Sequence, residues 1–198
     1  MDHERLTILV DLDDTIDDLL TAWVCALNEK FGTNVDPQQV KQWDVSEYFP
    51  ELSKADIYSV HDWNNPWANV RPKPGAVEYI KRLIDDGHRV FVVTSTHYIN
   101  LQMKMEEVLF KYFPYLRWEQ VIITQDKAMI DGDVIIDAGV QNHLRKRRLN
   151  IVIDAPHNRH VNDASLGLKR VGGIEEAYRA VSELANQCLI QEVANGCN

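Results

Sequence analysis

A short apolar run near the start of the chain ends abruptly in three carboxylates. Residues 6–10 read LTILV, and Asp11, Asp13 and Asp14 follow at once. Apolar and β-branched residues bounded by charge are typical of a buried strand. Clustered carboxylates repel one another unless a cation gathers them, and Mg²⁺ held by one or two carboxylates plus substrate phosphate is the usual solution. An acidic turn that caps the next helix is the alternative for this segment taken alone.

Three later strand-like runs also end in polar residues. What they share is a β-branched stretch followed by a group able to bind phosphate or metal: RVFVV before Thr94 and Ser95, QVIIT before Lys127, and DVII before Asp137. Together with Asp11 and Asp13, this order resembles the four motifs of the haloacid dehalogenase-like (HAD-like) phosphohydrolases. The resemblance covers nearly the whole chain.

Strand-like and helix-like segments alternate along the chain. Apolar residues recur at helical spacing over 16–31, 76–86, 98–113 and 175–187, and strand-like runs lie at 89–93, 120–124, 133–137 and 150–153. Such alternation predicts an α/β fold with a mainly parallel sheet covered by helices on both faces. The resemblance implies the three-layer Rossmann-like form of that fold. The polar end, from residue 195 onward, is expected to be loose.

An insertion interrupts the alternation. Residues 33–70 are rich in aromatic and polar residues and contain no convincing strand. We expect a small helical cap there, and an HAD-like α/β core domain built from residues 1–32 and 71–198. Because ligands bind beyond the carboxyl ends of the strands in an open α/β sheet, the motif residues should meet at one edge, below the cap.

The resemblance implies a role for each residue at this edge. Asp11 would be the nucleophile that forms an aspartyl-phosphate. Asp13 would be the general acid for the leaving alkoxide and later the base for water. Thr94 and Ser95 would hold phosphoryl oxygens, and Lys127 would supply a fixed positive charge.

A narrower resemblance is to the 5′(3′)-deoxyribonucleotidase group, which removes phosphate from nucleoside monophosphates. It rests on DLDDT at residues 11–15, on Thr94-Ser95, and on the spacing between Lys127 and Asp137. In that group cap aromatics stack on the base. The substrate-binding candidates in this chain are Trp67, Trp63, Trp43 and Phe49, with His97 as a further contact. An aromatic core that holds the cap together is the alternative for each aromatic residue.

Mg²⁺ is the cofactor that the resemblance implies. Its expected ligands are Asp11, the backbone carbonyl of Asp13, and Asp137, while Asp133 is either an alternative ligand or a support behind the ligands. The nucleotidase group usually has two adjacent aspartates in the last motif, whereas Ala138 follows Asp137 here. This departure puts nucleotide specificity and full activity in question.

Composition narrows the class of partner. The formal net charge of −9 argues against a long nucleic acid, and no stretch is apolar enough for a membrane span. Three scattered cysteines without metal spacing fit the reducing cytoplasm. We interpret the basic residues 145–148 as a solvated helix end. The expected partner is a small phosphorylated substrate, and the sequence leaves open whether the protein forms a homodimer.

Three hypotheses follow. The first is a Mg²⁺-dependent phosphatase acting on nucleoside monophosphates. The second keeps this chemistry but takes another small phosphomonoester, such as a sugar phosphate. The third is a catalytically weak nucleotide-binding module, which Ala138 favours and the retained Asp11, Asp13 and Lys127 oppose.

Overall fold

The computed structural model describes residues 4–42, 44–59, 65–143 and 145–195 of the protein. A six-stranded sheet lies at its centre. The strands are β1 (Thr7–Val10), β2 (Arg89–Thr94), β3 (Val121–Ile123), β4 (Val134–Asp137), β5 (Leu149–Ile153) and β6 (Lys169–Val171). Their order across the sheet is β3-β2-β1-β4-β5-β6, and each neighbouring pair is parallel. The predicted α/β class with a parallel sheet is confirmed. The sequence reasoning missed β6, because two of its three residues are charged.

Helices connect these strands. They are α1 (Leu19–Phe31), α2 (Lys54–Tyr58), α3 (Ala76–Asp85), α4 (Tyr98–Lys104), α5 (Phe110–Tyr112), α6 (Asp163–Leu166) and α7 (Ile174–Asn195), with a π-helical turn at Met105–Leu109 joining α4 to α5. The helix α7 continues beyond the predicted end at residue 187, so the expected loose end does not begin at Asn195. Residues 196–198 lie outside the described part of the chain.

The first helix begins later than predicted. Residues 12–18 form a tight loop in which the backbone N–H groups of Thr15, Ile16 and Asp17 all donate to the carbonyl of Leu12. Helix α1 therefore starts at Leu19 rather than at residue 16. The helix ends at Phe31, and Gly32 after it adopts the left-handed conformation expected of a C-cap glycine.

The main hydrophobic core lies between one face of the sheet and the surrounding helices. It contains Ile8 and Val10 of β1, Ile80 and Leu83 of α3, Val108 and Leu109 of the π-helical turn, and Ala177 and Val181 of α7, all buried. The pleat sends alternate side chains to the opposite face. There Leu9, Val93 and Ile135 form a smaller buried cluster. This packing fixes the strand ends rigidly beside one another.

A second hydrophobic cluster accompanies the insertion. Val24 and Leu27 of α1 pack with buried residues of the 33–70 segment, among them Val40, Phe49 and Ile57. The segment folds as short helical turns because Asp36, Asp44 and Ser53 each cap one with a side-chain oxygen. We propose that this segment is the cap, and that the packing makes α1 part of it. None of the described helices has the length and apolar character needed to cross a membrane.

Candidate active site

Two aspartates from neighbouring strands meet at one lysine. Asp11 follows β1 and Asp137 ends β4, so the parallel pairing places both at the carboxyl edge of the sheet. Lys127 Nζ lies 2.6 Å from Asp11 Oδ1 and 2.7 Å from Asp137 Oδ2. All three side chains are buried. The structure thus brings together three of the residues that the sequence singled out.

Further hydrogen bonds orient the two carboxylates. The Thr15 hydroxyl donates to Asp11 Oδ2 at 3.2 Å and accepts from the backbone N–H of Ala138 at 2.9 Å. Asp137 Oδ1 accepts from the Gly139 N–H at 2.7 Å, while its Oδ2 also accepts from Asn142 at 2.9 Å. Both carboxylates are therefore held from several sides, as expected of groups that must stay in place.

Burial and neighbouring charges shift the pKa values of Asp11 and Lys127. Burial raises the pKa of Asp11 to about 6, with a further upward contribution from Asp137, against the opposing effect of Lys127. Burial by itself would lower the pKa of Lys127, but its two carboxylate neighbours outweigh that effect and raise it. Two carboxylates share one ammonium group, so the cluster keeps an excess negative charge at neutral pH.

The excess negative charge suits a metal cation. Asp11 and Asp137 converge on the single ammonium group of Lys127, and their oxygens are hard ligands of the kind that Mg²⁺ prefers. No group of three His, Cys, Asp or Glu side chains suited to a metal occurs within the described ranges. A site with two carboxylates that completes its shell with a backbone carbonyl, water and phosphate does not need such a group. The residues present fit a divalent cation.

Asp133 lies too far from these carboxylates to share a metal with them. Its carboxylate accepts from the Thr7 N–H at 2.8 Å, at the start of β1 and β4. The four residues of β4 then separate it from the carboxyl edge, a height of roughly 13 Å at about 3.3 Å per residue. The expectation that Asp133 is a metal ligand or supports one is wrong. Asp133 instead ties the first strand to the fourth at the opposite edge of the sheet.

Asp13 and Thr94 meet at a second lysine, Lys104, which the sequence reasoning did not select. Lys104 Nζ donates to Asp13 Oδ2 at 2.5 Å and to Thr94 Oγ1 at 2.8 Å. Lys104 Nζ also lies 3.4 Å from the carbonyl oxygen of Ser95. The residue Ser95 is exposed. Burial raises the pKa of Asp13, although Lys104 opposes the shift. A signal was available, since Lys104 occupies the apolar stripe of its helix beside Met105.

A cavity of about 570 Å³ opens beside Asp13 and Lys104. Its size suits a small-molecule ligand. Its aromatic and imidazole lining comes from three places: Trp23 of α1, Tyr58 and Trp67 of the 33–70 segment, and His97 and Tyr98 at the start of α4. Trp67 and His97 were substrate-binding candidates from the sequence, whereas Trp23 and Tyr58 were not.

The other aromatic candidates do not reach this cavity or cannot be placed. Phe49 is fully buried in the second hydrophobic cluster, so its predicted contact with substrate is wrong, and the alternative of an aromatic core describes it. Trp43 and Trp63 lie outside the described residues. Spacing in sequence could not separate these roles, because both need a large apolar side chain.

The basic residues 145–148 are not a solvated helix end. They lead into β5, and Arg147 is buried. Its guanidinium donates to the backbone carbonyls of Lys127 and Ile130 at 3.1 and 2.9 Å. Arg147 thus braces the turn that presents the Lys127 side chain to Asp11.

A buried carboxyl in the first loop leads to a stability prediction. Burial raises the pKa of Asp17 well above its ordinary value, and Asp13 and Asp14 add to the shift. A raised pKa means that the folded state binds more protons, so Asp17 makes stability fall as pH rises above about 4. Asp17→Asn keeps an acceptor for the Asp14 N–H. The variant should therefore have a larger free energy of unfolding than wild type at pH 8, and an equal one at pH 4.

Urea denaturation in EDTA at the two pH values measures this difference. The matched control is Asp131→Asn, since the Asp131 side chain is 86% exposed. A variant Asp17→Asn that is less stable than wild type at pH 8 would contradict the prediction.

The fold identifies the structural class of the protein. The chain resembles solved HAD-like hydrolases, including one from Deinococcus radiodurans with bound phosphate and sodium (TM-score 0.60, 14% identity, 89% of this chain and 95% of that one). A hydrolase of the same superfamily from Streptococcus pneumoniae gives a TM-score of 0.59 at 12% identity, over 89% of this chain and 98% of that one. The fold is that of the HAD-like hydrolases.

The family is narrower than the fold. The family model described as 5′ nucleotidase, deoxy (Pyrimidine), cytosolic type C protein matches residues 5–193, and the chain belongs to this family of phosphoric monoester hydrolases. Relatives include the 5′(3′)-deoxyribonucleotidases of Bacillus subtilis, 29% identical over 80% of this chain and 90% of the relative, and of Clostridium acetobutylicum, 28% identical over 79% and 86%. The resemblance inferred from the motifs is confirmed.

Proposed function

We propose that this protein is a cytoplasmic, Mg²⁺-dependent 5′(3′)-deoxyribonucleotidase that releases phosphate from nucleoside monophosphates through an aspartyl-phosphate. The observation that carries the proposal is the cavity, which joins the carboxylate of Asp13 to an aromatic wall. A nucleotide has the matching layout, with a phosphate at one end and a planar base at the other. The relatives named above support the same substrate class.

The reaction can be assigned to residues of this chain. A carboxylate oxygen of Asp11 attacks phosphorus, and the bond to the leaving oxygen breaks as Asp13 gives that oxygen its proton. Asp13 then takes a proton from water, which attacks the phosphorus of the aspartyl-phosphate and restores Asp11. Lys127 keeps positive charge beside Asp11 throughout, and Thr94 and Ser95 hold phosphoryl oxygens. When bound by Asp11, Asp137 and the Asp13 carbonyl, Mg²⁺ would offset the repulsion between carboxylates and phosphate.

Phosphate release from a panel of deoxy- and ribonucleoside monophosphates, sugar phosphates and an aryl phosphate tests this function. Each should be measured with Mg²⁺ and with EDTA. Metal-dependent release that favours deoxynucleotides is the expected result. Release from the other phosphates alone would keep the chemistry but replace the substrate class.

A second candidate, a nucleotide-binding module with weak catalysis, is favoured by one observation. Ala138 is buried beside Asp137, where the nucleotidase group usually has a second aspartate, so one carboxylate is missing from the metal side of the site. Tight nucleotide binding without turnover of any phosphomonoester would favour this candidate over the enzyme.

The aromatic wall of the cavity gives a prediction for substrate binding. Tyr58 is 44% exposed, and its ring lies 5.4 Å from that of Trp23 in the cavity lining. A stacked base is worth about 1–3 kcal/mol, so Tyr58→Ala should raise KM for deoxynucleotides by roughly 5- to 150-fold. The KM for an aryl phosphate, which carries no base, should change much less.

Steady-state kinetics on both substrates measures this difference. Trp118→Ala is the control, since Trp118 is 53% exposed and lies outside the cavity lining. An equal rise in KM for both substrates would argue against stacking at Tyr58.

A further inference from the structure

Lys104 is a buried lysine that has no part in the reaction described above. Its side chain is 1% exposed, and it connects the acid Asp13 to the phosphate-binding Thr94. We propose that Lys104 is a positioning residue for phosphoryl transfer, which sets the proton-donating directions of both partners; this inference rests on the proposed function. The directions open to the hydrogen atoms of this cluster support the proposal.

The first consequence concerns Thr94. An ammonium group has three donors and no acceptor, so in its 2.8 Å contact with Lys104 the Thr94 oxygen must accept. The hydroxyl proton of Thr94 then cannot point at Lys104 and remains available to another acceptor. Thr94 ends β2 at the carboxyl edge of the sheet, where the phosphoryl oxygens would lie. Lys104 therefore directs this hydroxyl to donate to phosphate.

The second consequence concerns Asp13. Lys104 occupies its Oδ2 at 2.5 Å, whereas Oδ1 is buried and makes no hydrogen bond to any described residue. A buried acceptor without a partner destabilises the folded state. Because Lys104 holds Oδ2, the orientation of the Asp13 carboxyl group beside the cavity is fixed. Lys104 thus orients the group that would donate the proton.

A third contact places the lysine at the wall of the cavity. Lys104 Nζ lies 5.6 Å from the ring centroid of Trp67, within the range of a cation–π contact. Trp67 belongs to the 33–70 segment and lines the same cavity. The ammonium is therefore fixed from the side of the cap as well as from the side of the sheet, which suits a group that must hold two others in register.

A purely structural role is the competing explanation. A buried lysine could serve only to neutralise Asp13, in which case its loss would weaken the fold and slow every substrate alike. The positioning role predicts that the loss of rate depends on the leaving group. Proton donation matters most for a poorly stabilised leaving alkoxide and least for a phenolate that leaves readily. The dependence of rate on the leaving group therefore separates the two explanations.

The experiment compares wild type with Lys104→Met, Lys104→Arg and the exposed control Lys111→Met. For each we would measure kcat and KM on a deoxynucleoside monophosphate and on aryl phosphates of graded leaving-group pKa. Lys104→Met should lower kcat on the nucleotide by about 10²-fold, in the range of a misplaced general acid. The loss should shrink steadily as the leaving group improves. Lys104→Arg should recover part of the activity, and Lys111→Met should match wild type.

A second variant guards against poor folding. In Asp13→Asn combined with Lys104→Met no unpaired charge remains, and if Lys104 acts through Asp13 the double variant should have the same leaving-group dependence as Asp13→Asn alone. Equal losses on all leaving groups, wild-type rates in Lys104→Met, or a faster Lys104→Met would each overturn the inference. A wild-type protein that hydrolyses no phosphomonoester would instead remove the proposed function, and this inference with it.

Discussion

Replacing Asp11 with Asn should abolish phosphate release and leave the fold in place. Loss of the nucleophile that we propose removes the reaction path itself, so a fall of about 10⁴-fold or more in kcat is expected. Stability should not suffer, because an Asn oxygen can still accept from Lys127. The raised pKa of Asp11, about 6, means that its ionised form is disfavoured in the folded state. Asp11→Asn should therefore equal or exceed wild type in free energy of unfolding above pH 6.

Rapid acid quenching with radiolabelled substrate would check the role directly. Wild type should trap label on the peptide that contains Asp11, and Asp11→Asn should trap none. The exposed Asp131→Asn serves again as the control and should retain full activity. Comparable turnover in Asp11→Asn would remove Asp11 as nucleophile.

Lys127→Met should have a large effect on both activity and stability. Its ammonium pairs with Asp11 at 2.6 Å and with Asp137 at 2.7 Å, and removal leaves two buried carboxylates facing one another. Breaking a buried pair in this way costs about 3–5 kcal/mol. Loss of one preorganised charge beside the transferring group should also lower kcat by roughly 10²–10³-fold. Urea denaturation and steady-state kinetics measure the two effects.

A double variant tests whether the loss of stability comes from the unbalanced charge of the carboxylates around Lys127. Asp11→Asn combined with Lys127→Met removes one negative charge along with the positive one, so it should recover stability relative to Lys127→Met without recovering activity. Lys54→Met is the control, since its ion pair with Asp44 is exposed to solvent and should contribute little to the free energy of unfolding. A Lys127→Met protein as stable as wild type would show that this pairing contributes little to the fold.

The residues at the strand ends could be predicted from sequence for a geometric reason. In a parallel sheet the carboxyl ends of all strands lie on one edge, so a polar residue directly after each apolar run must lie near the others. Asp11, Lys127 and Asp137 meet in this way. The same rule excludes Asp133, since a residue at the start of a strand lies at the other edge.

Side chains that reach the site from helices could not be predicted by this rule. Lys104 lies on a helix behind the sheet, and nothing in its neighbourhood of the sequence places its ammonium between Asp13 and Thr94. Similarly, Phe49 was expected among the substrate contacts. The relation between α1 and the 33–70 segment decides instead that Phe49 lies in the second hydrophobic cluster, and that Trp23 of α1 both packs against this cluster and lines the cavity.

The sequence by itself determined the α/β class, the family and the placement of Asp11, Asp13, Lys127 and Asp137 at or just after the ends of their strands, because strand periodicity and short polar motifs are local properties of the chain. The tertiary structure alone decided which aromatic residues line the cavity, which carboxylates are buried, and that a second lysine joins Asp13 to Thr94. Those features depend on contacts between segments far apart in the chain. Packing distances in three dimensions, rather than spacing along the sequence, set them.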